Sequence, residues 1–344
     1  MMSGPPSPIQ PTVDFDAEGV QHGFLRLPWS RDDSAWGNLM IPITVAKGGD
    51  GPTLLVIGGN HGDEYEGPLA ILDMARRLDD MKLHGRVILL PFLNYPAAKA
   101  ATRTSPVDGR NMNRIFPGSA TGSLSEKIAD YVMRGLIPMA DAVLDFHSGG
   151  RTLDFLPFAA SHVLPDKTQE ARCDAAVAAF AAPYSVKMLE IDAVGMLDTA
   201  VEEAGKTFVT TELGGGGTAT ATSVKIARRG IRNLLHHLGI LEGSPEPAAT
   251  RLLDMPSGDC FTFADTDGML ELTRDLGDPV RAGETIARIW PLDRTGRSPA
   301  EHRASLNGLL IARHFPGLAQ AGDCLAVVGT VVAEEEQERK AEGG

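Results

Sequence analysis

The segment GGNHGDEYEG (58–67) carries His61 and Glu64 with two residues between them, directly after the apolar run TLLVIGG (53–59). From a tight turn leading into a helix, both side chains can face one point. An imidazole nitrogen and a carboxylate oxygen are good zinc ligands, at about 2.0–2.2 Å. His-x-x-Glu arises by chance in many chains, so a further ligand has to come from elsewhere. DAVLDFHSGG (141–150) supplies His147, where an apolar run stops and two glycines turn the chain. TFVTTELGGGG (207–217) supplies Glu212 just ahead of four glycines. In an open α/β sheet, ligands collect outside the carboxyl ends of the strands. Two histidines and two glutamates fall at such ends, on three different runs. A His, His, Glu set with an open fourth position is a catalytic zinc arrangement, in which bound water reaches a pKa of about 7.

Between these segments lies ATRTSPVDGRNMNRIFPG (101–118), a polar loop punctuated by Pro and Gly. Its adjacent Asn113 and Arg114 suit two-point capture of a substrate carboxylate, a guanidinium with an amide beside it. Arg103, Arg110 and, further on, Arg151 are additional cations around the same site, in a chain with 32 basic and 45 acidic residues and a net charge of -13. The four glycines after Glu212 lack the Lys-Ser/Thr that completes a phosphate loop.

The elements that must hold these side chains alternate. Apolar runs at 39–46, 53–59, 86–94, 141–146, 185–191 and 207–213 read as strands, several of them apolar throughout, as strands buried on both faces are. Helical patterns fall at 66–80, 123–139, 166–182, 196–204 and 219–241. This alternation predicts an α/β fold, a mixed and mostly parallel sheet sandwiched by helices, over 23–241. Residues 1–22 read as an N-terminal arm, and the three-proline segment 242–259 as a linker. Residues 260–333 read as a small all-β domain whose halves, 268–290 and 307–329, look alike, and 334–344 as a charged tail.

Composition bounds the rest. The acidic balance is the wrong sign for sequence-independent nucleic-acid binding. Three cysteines, Cys173, Cys260 and Cys324, are too few for a disulfide framework or a four-cysteine zinc site. The opening residues have no signal-peptide character, and no run reaches the ~18 apolar residues of a membrane span. A cytoplasmic protein with a small-molecule substrate and neither a nucleic-acid nor a membrane partner is expected; the oligomeric state is left open.

HGDE, NMNR with FPG, FHSGG and TELGGGG together resemble the succinylglutamate desuccinylase/aspartoacylase family, relatives of the zinc carboxypeptidases, over roughly residues 35–240. The C-terminal β module is similar to that family's second domain. The resemblance implies one zinc ion per chain held by His61, Glu64 and His147, with Glu212 as general base and acid. It implies that Asn113 and Arg114 hold the amino-acid carboxylate. It makes Arg103 the arginine that polarises the scissile carbonyl, with Arg110 open as the alternative because this loop varies in length. The expected reaction removes an acyl group, acetyl first among them, from a small N-acyl amino acid. If that amino acid carries an amino side chain, its ammonium needs an acceptor; LEIDAVGMLDTA (189–200) offers Asp192 and Asp198, of which Asp192 is the candidate.

Two other readings compete. A zinc carboxypeptidase would share the metal chemistry, although the β module is expected to crowd the site mouth and favour small ligands. A carrier protein would use GDPVRAGETIARI, which resembles biotinyl- or lipoyl-carrier hairpins, but from Gly268 to Val332 there is no lysine to modify. The other histidines, His162 among them, have no partners at ligand spacing.

Overall fold

The computed structural model describes residues 5–332. The apolar runs become its central strands. Thr53–Ile57 and Ala142–His147 are buried at every position, and Gly85–Leu90 at all but one. Because neighbouring residues on a strand face opposite ways, Leu54 and Val56 enter one core while Leu55 and Ile57 enter another. The first core is covered by Glu66–Arg77, Lys167–Phe180 and Ala221–His237, through Ile71, Phe180 and Ile231 among others. The second is covered by Leu124–Tyr131 and Leu197–Glu203, through Ile128 and Val201.

Central strands run in the order Asn38–Gly48, Gly85–Leu90, Thr53–Ile57, Ala142–His147, Thr207–Glu212, Phe158–Ser161, Tyr184–Lys187. From Gly85–Leu90 to Thr207–Glu212 every pairing is parallel, so the carboxyl ends of these strands lie along one edge. Both flanks are antiparallel: Asn38–Gly48 pairs that way with Gly85–Leu90, and Phe158–Ser161 with Thr207–Glu212. The sheet is mixed, with its parallel block at the centre.

Helix ends follow local sequence. Ser123 and Glu126 close a capping box on Leu124–Tyr131, and Thr220 with Ser223 does so on Ala221–His237. The pattern over 123–139 is one continuous helix in sequence, yet the chain widens to a π turn at Val132–Leu136 and tightens at Ile137–Met139, where Pro138 cannot donate a helical bond.

The expected arm is partly sheet: 19–22 begin the strand Gly19–Pro28, which pairs with Asn38–Gly48, Gln10–Pro11 pairs with Arg26 and Leu25, and Ile9 and Val13 are buried. Within 242–259, Arg251–Asp254 is a strand, parallel to Tyr184–Lys187 and antiparallel to Cys324–Val331. Backbone hydrogen bonds therefore run unbroken from the central sheet into the C-terminal strands. Leu153–Phe155 adds a second connection by pairing with Gly308–His314, and Arg313 meets Asp154 at 3.0 Å. The two similar halves interlock: Gly268 and Met269 pair with Ala319 and Leu318, and Pro279 and Val280 pair with Leu309 and Gly308. The charged tail 334–344 lies outside the described residues. Among those described, no helix is long and apolar enough to cross a membrane.

Candidate active site

Thr207–Glu212 and Ala142–His147 are paired in register, with Glu212 directly beside His147 at the last position of each strand. Residues paired across parallel strands share a face, so both side chains project on the same side of the sheet. His61 and Glu64 arrive from the next strand over, on the turn between Thr53–Ile57 and Glu66–Arg77. That turn is pressed against the helix Tyr95–Ala100: a Cβ on Gly62 would stand 2.0 Å from the Ala97 carbonyl carbon, so only glycine fits.

His61, Glu64 and His147 converge, with donor atoms of all three within 4.8 Å of one another. His61 Nδ1 lies 2.7 Å from Glu64 Oε1, and His147 Nδ1 lies 3.1 Å from Glu64 Oε2. The outward nitrogens are engaged elsewhere. His61 Nε2 is 3.1 Å from Asn111 Oδ1, and His147 Nε2 is 2.9 Å from Asp145 Oδ2. Both outer partners are acceptors to which each Nε2 can donate, which leaves Nδ1 as the nitrogen whose lone pair a metal ion would take on displacing the proton. Histidines that bind metals are commonly held this way, their far nitrogen fixed by an acceptor that sets the ring orientation. Asp145 is itself held by Asn60 Nδ2 at 3.1 Å. Two imidazole nitrogens and a carboxylate, oriented this way, fit a zinc ion bonded at about 2.0–2.2 Å.

The electrostatics concentrate negative charge at this point. Burial pushes Glu64 upward, but His61 and His147 outweigh it and hold it below the usual carboxylate range. Burial lowers His61, whereas Asp145 and Glu64 overcome the burial of His147 and raise it well above the usual value. Glu212 is raised well above the ordinary range, first by burial and then by the charge of Glu64. Its Oε2 is buried with no hydrogen-bond partner among the described residues.

These groups line a cavity of about 110 Å³ together with Arg103, Asn113 and Arg114. Arg103 Nη1 is 3.4 Å from Glu64 Oε1. Asn113 is buried and accepts the Leu197 N–H through Oδ1 at 2.9 Å, while Arg114 Nη1 donates to the Asn113 carbonyl at 2.7 Å. Arg110 is exposed and outside this lining. Asp192 is exposed too; its carboxylate accepts the Val194 N–H at 3.1 Å in a surface turn, and it does not line the cavity. Glu190 and Asp198, on either side of it in sequence, do. Among the described residues, no lining residue comes from beyond Glu212, and the β module approaches the glycine loop that follows it, through Phe315 beside Gly216. A larger hollow of about 720 Å³, bounded by Phe116, Met133, Ile137 and Val194, brings no comparable group of titratable side chains together.

Asn111, Asp145, Glu190 and His162 are missing from the sequence-based set. Asp145 left a trace: a charge inside an apolar strand, two residues before His147 and so on its face. Asn111 left a weaker one in NMNR. His162 has partners only through the fold, Glu202 at 2.9 Å and Glu190 at 3.7 Å.

The family model described as the succinylglutamate desuccinylase/aspartoacylase catalytic domain matches residues 50–238. The chain belongs to this family. It is 55% identical to an N-alpha-acetyl-L-2,4-diaminobutyric acid deacetylase of Halomonas elongata, over 95% of this chain and 96% of that one. Among solved structures, the product-bound ectoine utilization protein EutE (DoeB) of Ruegeria pomeroyi matches with 58% identity and a TM-score of 0.93, covering 94% of this chain and 99% of that one. A succinylglutamate desuccinylase of Silicibacter sp. TM1040 matches with 56% identity and a TM-score of 0.92, covering 95% and 99%. The deacetylase and desuccinylase relatives mark the chain as an amide-hydrolysing enzyme.

Proposed function

We propose that the chain is a zinc-dependent deacetylase of N-alpha-acetyl-L-2,4-diaminobutyrate, serving ectoine breakdown. The observation that carries this reading is the single small cavity in which the His61–Glu64–His147 donors, the unpartnered Glu212 and the Asn113–Arg114 pair meet. The 55% identity to the Halomonas deacetylase supports the substrate.

His61, Glu64 and His147 would hold the metal, with Asn111 and Asp145 fixing the ring orientations. When bound, zinc supplies a Lewis acid that acidifies water and polarises the scissile carbonyl, and its charge draws Glu212 back toward ionisation. Asn113 and Arg114 bind the substrate carboxylate and so orient the amide. Glu212 takes a proton from water as the oxygen attacks the acyl carbon, and returns it to the nitrogen of the leaving amine. Arg103, which lines the cavity 3.4 Å from Glu64 Oε1, would meet negative charge growing on the carbonyl oxygen, where fixed positive groups contribute most. The products are acetate and the free diamino acid.

A hydrolysis panel tests this reading: N-alpha-acetyl-2,4-diaminobutyrate, its N-gamma regioisomer, N-acetyl-aspartate, N-succinyl-glutamate and a dipeptide, each before and after chelation. Highest kcat/KM on the first, lost on chelation and restored by zinc, is expected. A preference for the dipeptide would favour a carboxypeptidase, and full activity after chelation would remove the metal from the reaction.

A further inference from the structure

Glu190, Asp198 and His162 form a second cluster, with donor atoms within 4.8 Å of one another, and the first two line the same cavity as Glu212 and Arg114. Asp198 is only 5% exposed. Its Oδ1 accepts hydrogen bonds from Thr199, while Oδ2 has no hydrogen-bond or ion-pair partner among the described residues. Glu190, its side chain about a fifth exposed, meets His162 at 3.7 Å. A carboxylate as buried as Asp198 is costly to keep charged unless a positive group meets it. Three carboxylates, Glu190, Asp198 and Glu202, surround one imidazole, so the cluster stays negative even with His162 protonated.

We infer that Glu190 and Asp198 form the seat for the side-chain ammonium of the substrate, and so set the preference for a short diamino acid. This rests on the deacetylase reading above. The spacing suits it. Asp198 follows Leu197, whose N–H is bonded to Asn113 Oδ1, so the acidic wall is fastened to the pair that holds the carboxylate. A substrate gripped at both ends must be short, and two methylenes separate the α-carbon of 2,4-diaminobutyrate from its ammonium nitrogen. An ammonium offers three N–H donors and both walls offer only acceptors, which makes the contact charge-assisted. Burial raises Asp198 to about 6, as expected of a carboxylate that needs a cation to stay ionised. His162, tied to Glu202 through Nδ1 at 2.9 Å, is a positioning residue behind Glu190.

The test compares N-alpha-acetyl-2,4-diaminobutyrate with N-alpha-acetyl-2-aminobutyrate, which differs by lacking the ammonium. Wild type, Glu190→Gln and Asp198→Asn are assayed on both, with zinc content and thermal midpoint measured on each. In wild type the ratio of kcat/KM should strongly favour the diamino substrate. Each variant should lower that ratio by about 10–100-fold, the worth of a charged hydrogen bond, chiefly through KM. Equal losses on both substrates, or an unaltered ratio in both variants, would overturn the subsite while leaving the deacetylase intact. A second equivalent of zinc that disappears in Glu190→Gln would also overturn it, in favour of a metal. Wild type inactive on both compounds would instead bring down the deacetylase reading and the subsite with it.

Discussion

Two clusters of histidine and carboxylate lie along one cavity, and they differ in what stands behind the histidines. In the first, Asn111 and Asp145 occupy the outward nitrogens of His61 and His147, and both inward nitrogens meet a single carboxylate, Glu64. In the second, one imidazole lies among three carboxylates, two of which open onto the cavity. Similar residue types thus give two sites of opposite demand. The first brings two imidazole nitrogens and one carboxylate to a single point, which suits a metal ion. The second offers acceptors and surplus negative charge, which suits an organic cation.

The largest expected effects separate the two clusters by their metal content. His61→Ala or His147→Ala should lose zinc and essentially all turnover, whereas His162→Ala should keep a full equivalent; elemental analysis of the purified variants decides. Glu212→Gln should keep zinc and lose about 10²–10⁴-fold in kcat, the scale of a general acid–base group. Near-normal turnover in that variant would remove Glu212 from proton transfer. Asp145→Asn tests the outer shell, with an expected weakening of zinc affinity by about 10–100-fold in competition with a chelator.

A smaller effect concerns acidity. Burial lowers His162, but Glu190 and Glu202 outweigh it and raise it to about 10. The ring therefore binds its proton more tightly folded than unfolded. Its stabilising contribution is complete below about 6.5 and declines as pH rises toward 10. The thermal midpoint should fall over that range, less steeply in His162→Gln; equal slopes would exclude the effect. The smallest change is expected from Asp154→Ala. Its ion pair with Arg313 is partly solvated, so the variant should lose about 0–1 kcal/mol in chemical denaturation.

What the sequence disclosed follows from how each feature is encoded. Thr53–Ile57 and Ala142–His147 are buried on both faces, and burial of that kind needs an unbroken apolar run that can be read directly. His61, Glu64, His147 and Glu212 follow such runs, beside glycines that mark the turns. Phe158–Ser161 was harder, because FAAS is short and its small residues favour no element. Arg251–Asp254 lies in a proline-rich stretch whose composition points to a loop, and its strand state comes wholly from its neighbours on either side. Of the acidic wall, Asp198 stands out in the sequence beside Asp192, whereas Glu190 is the least legible. In the irregular segment after Tyr184–Lys187 no period tells which carboxylate turns inward, so Asp192 and Glu190 look equivalent until the fold exposes one and turns the other to the cavity.

The strand Cys324–Val331 bonds to Arg251–Asp254, Phe261–Phe263 and Gly308–His314. Because it is translated after all three, it keeps those partners waiting during synthesis with unsatisfied edges. A nascent chain stalled before it emerges would already own every side chain of the reaction centre yet display sticky strand borders, a target for chaperones and proteases. Messages cut short in this region should accordingly yield aggregates or degraded protein instead of a smaller working enzyme.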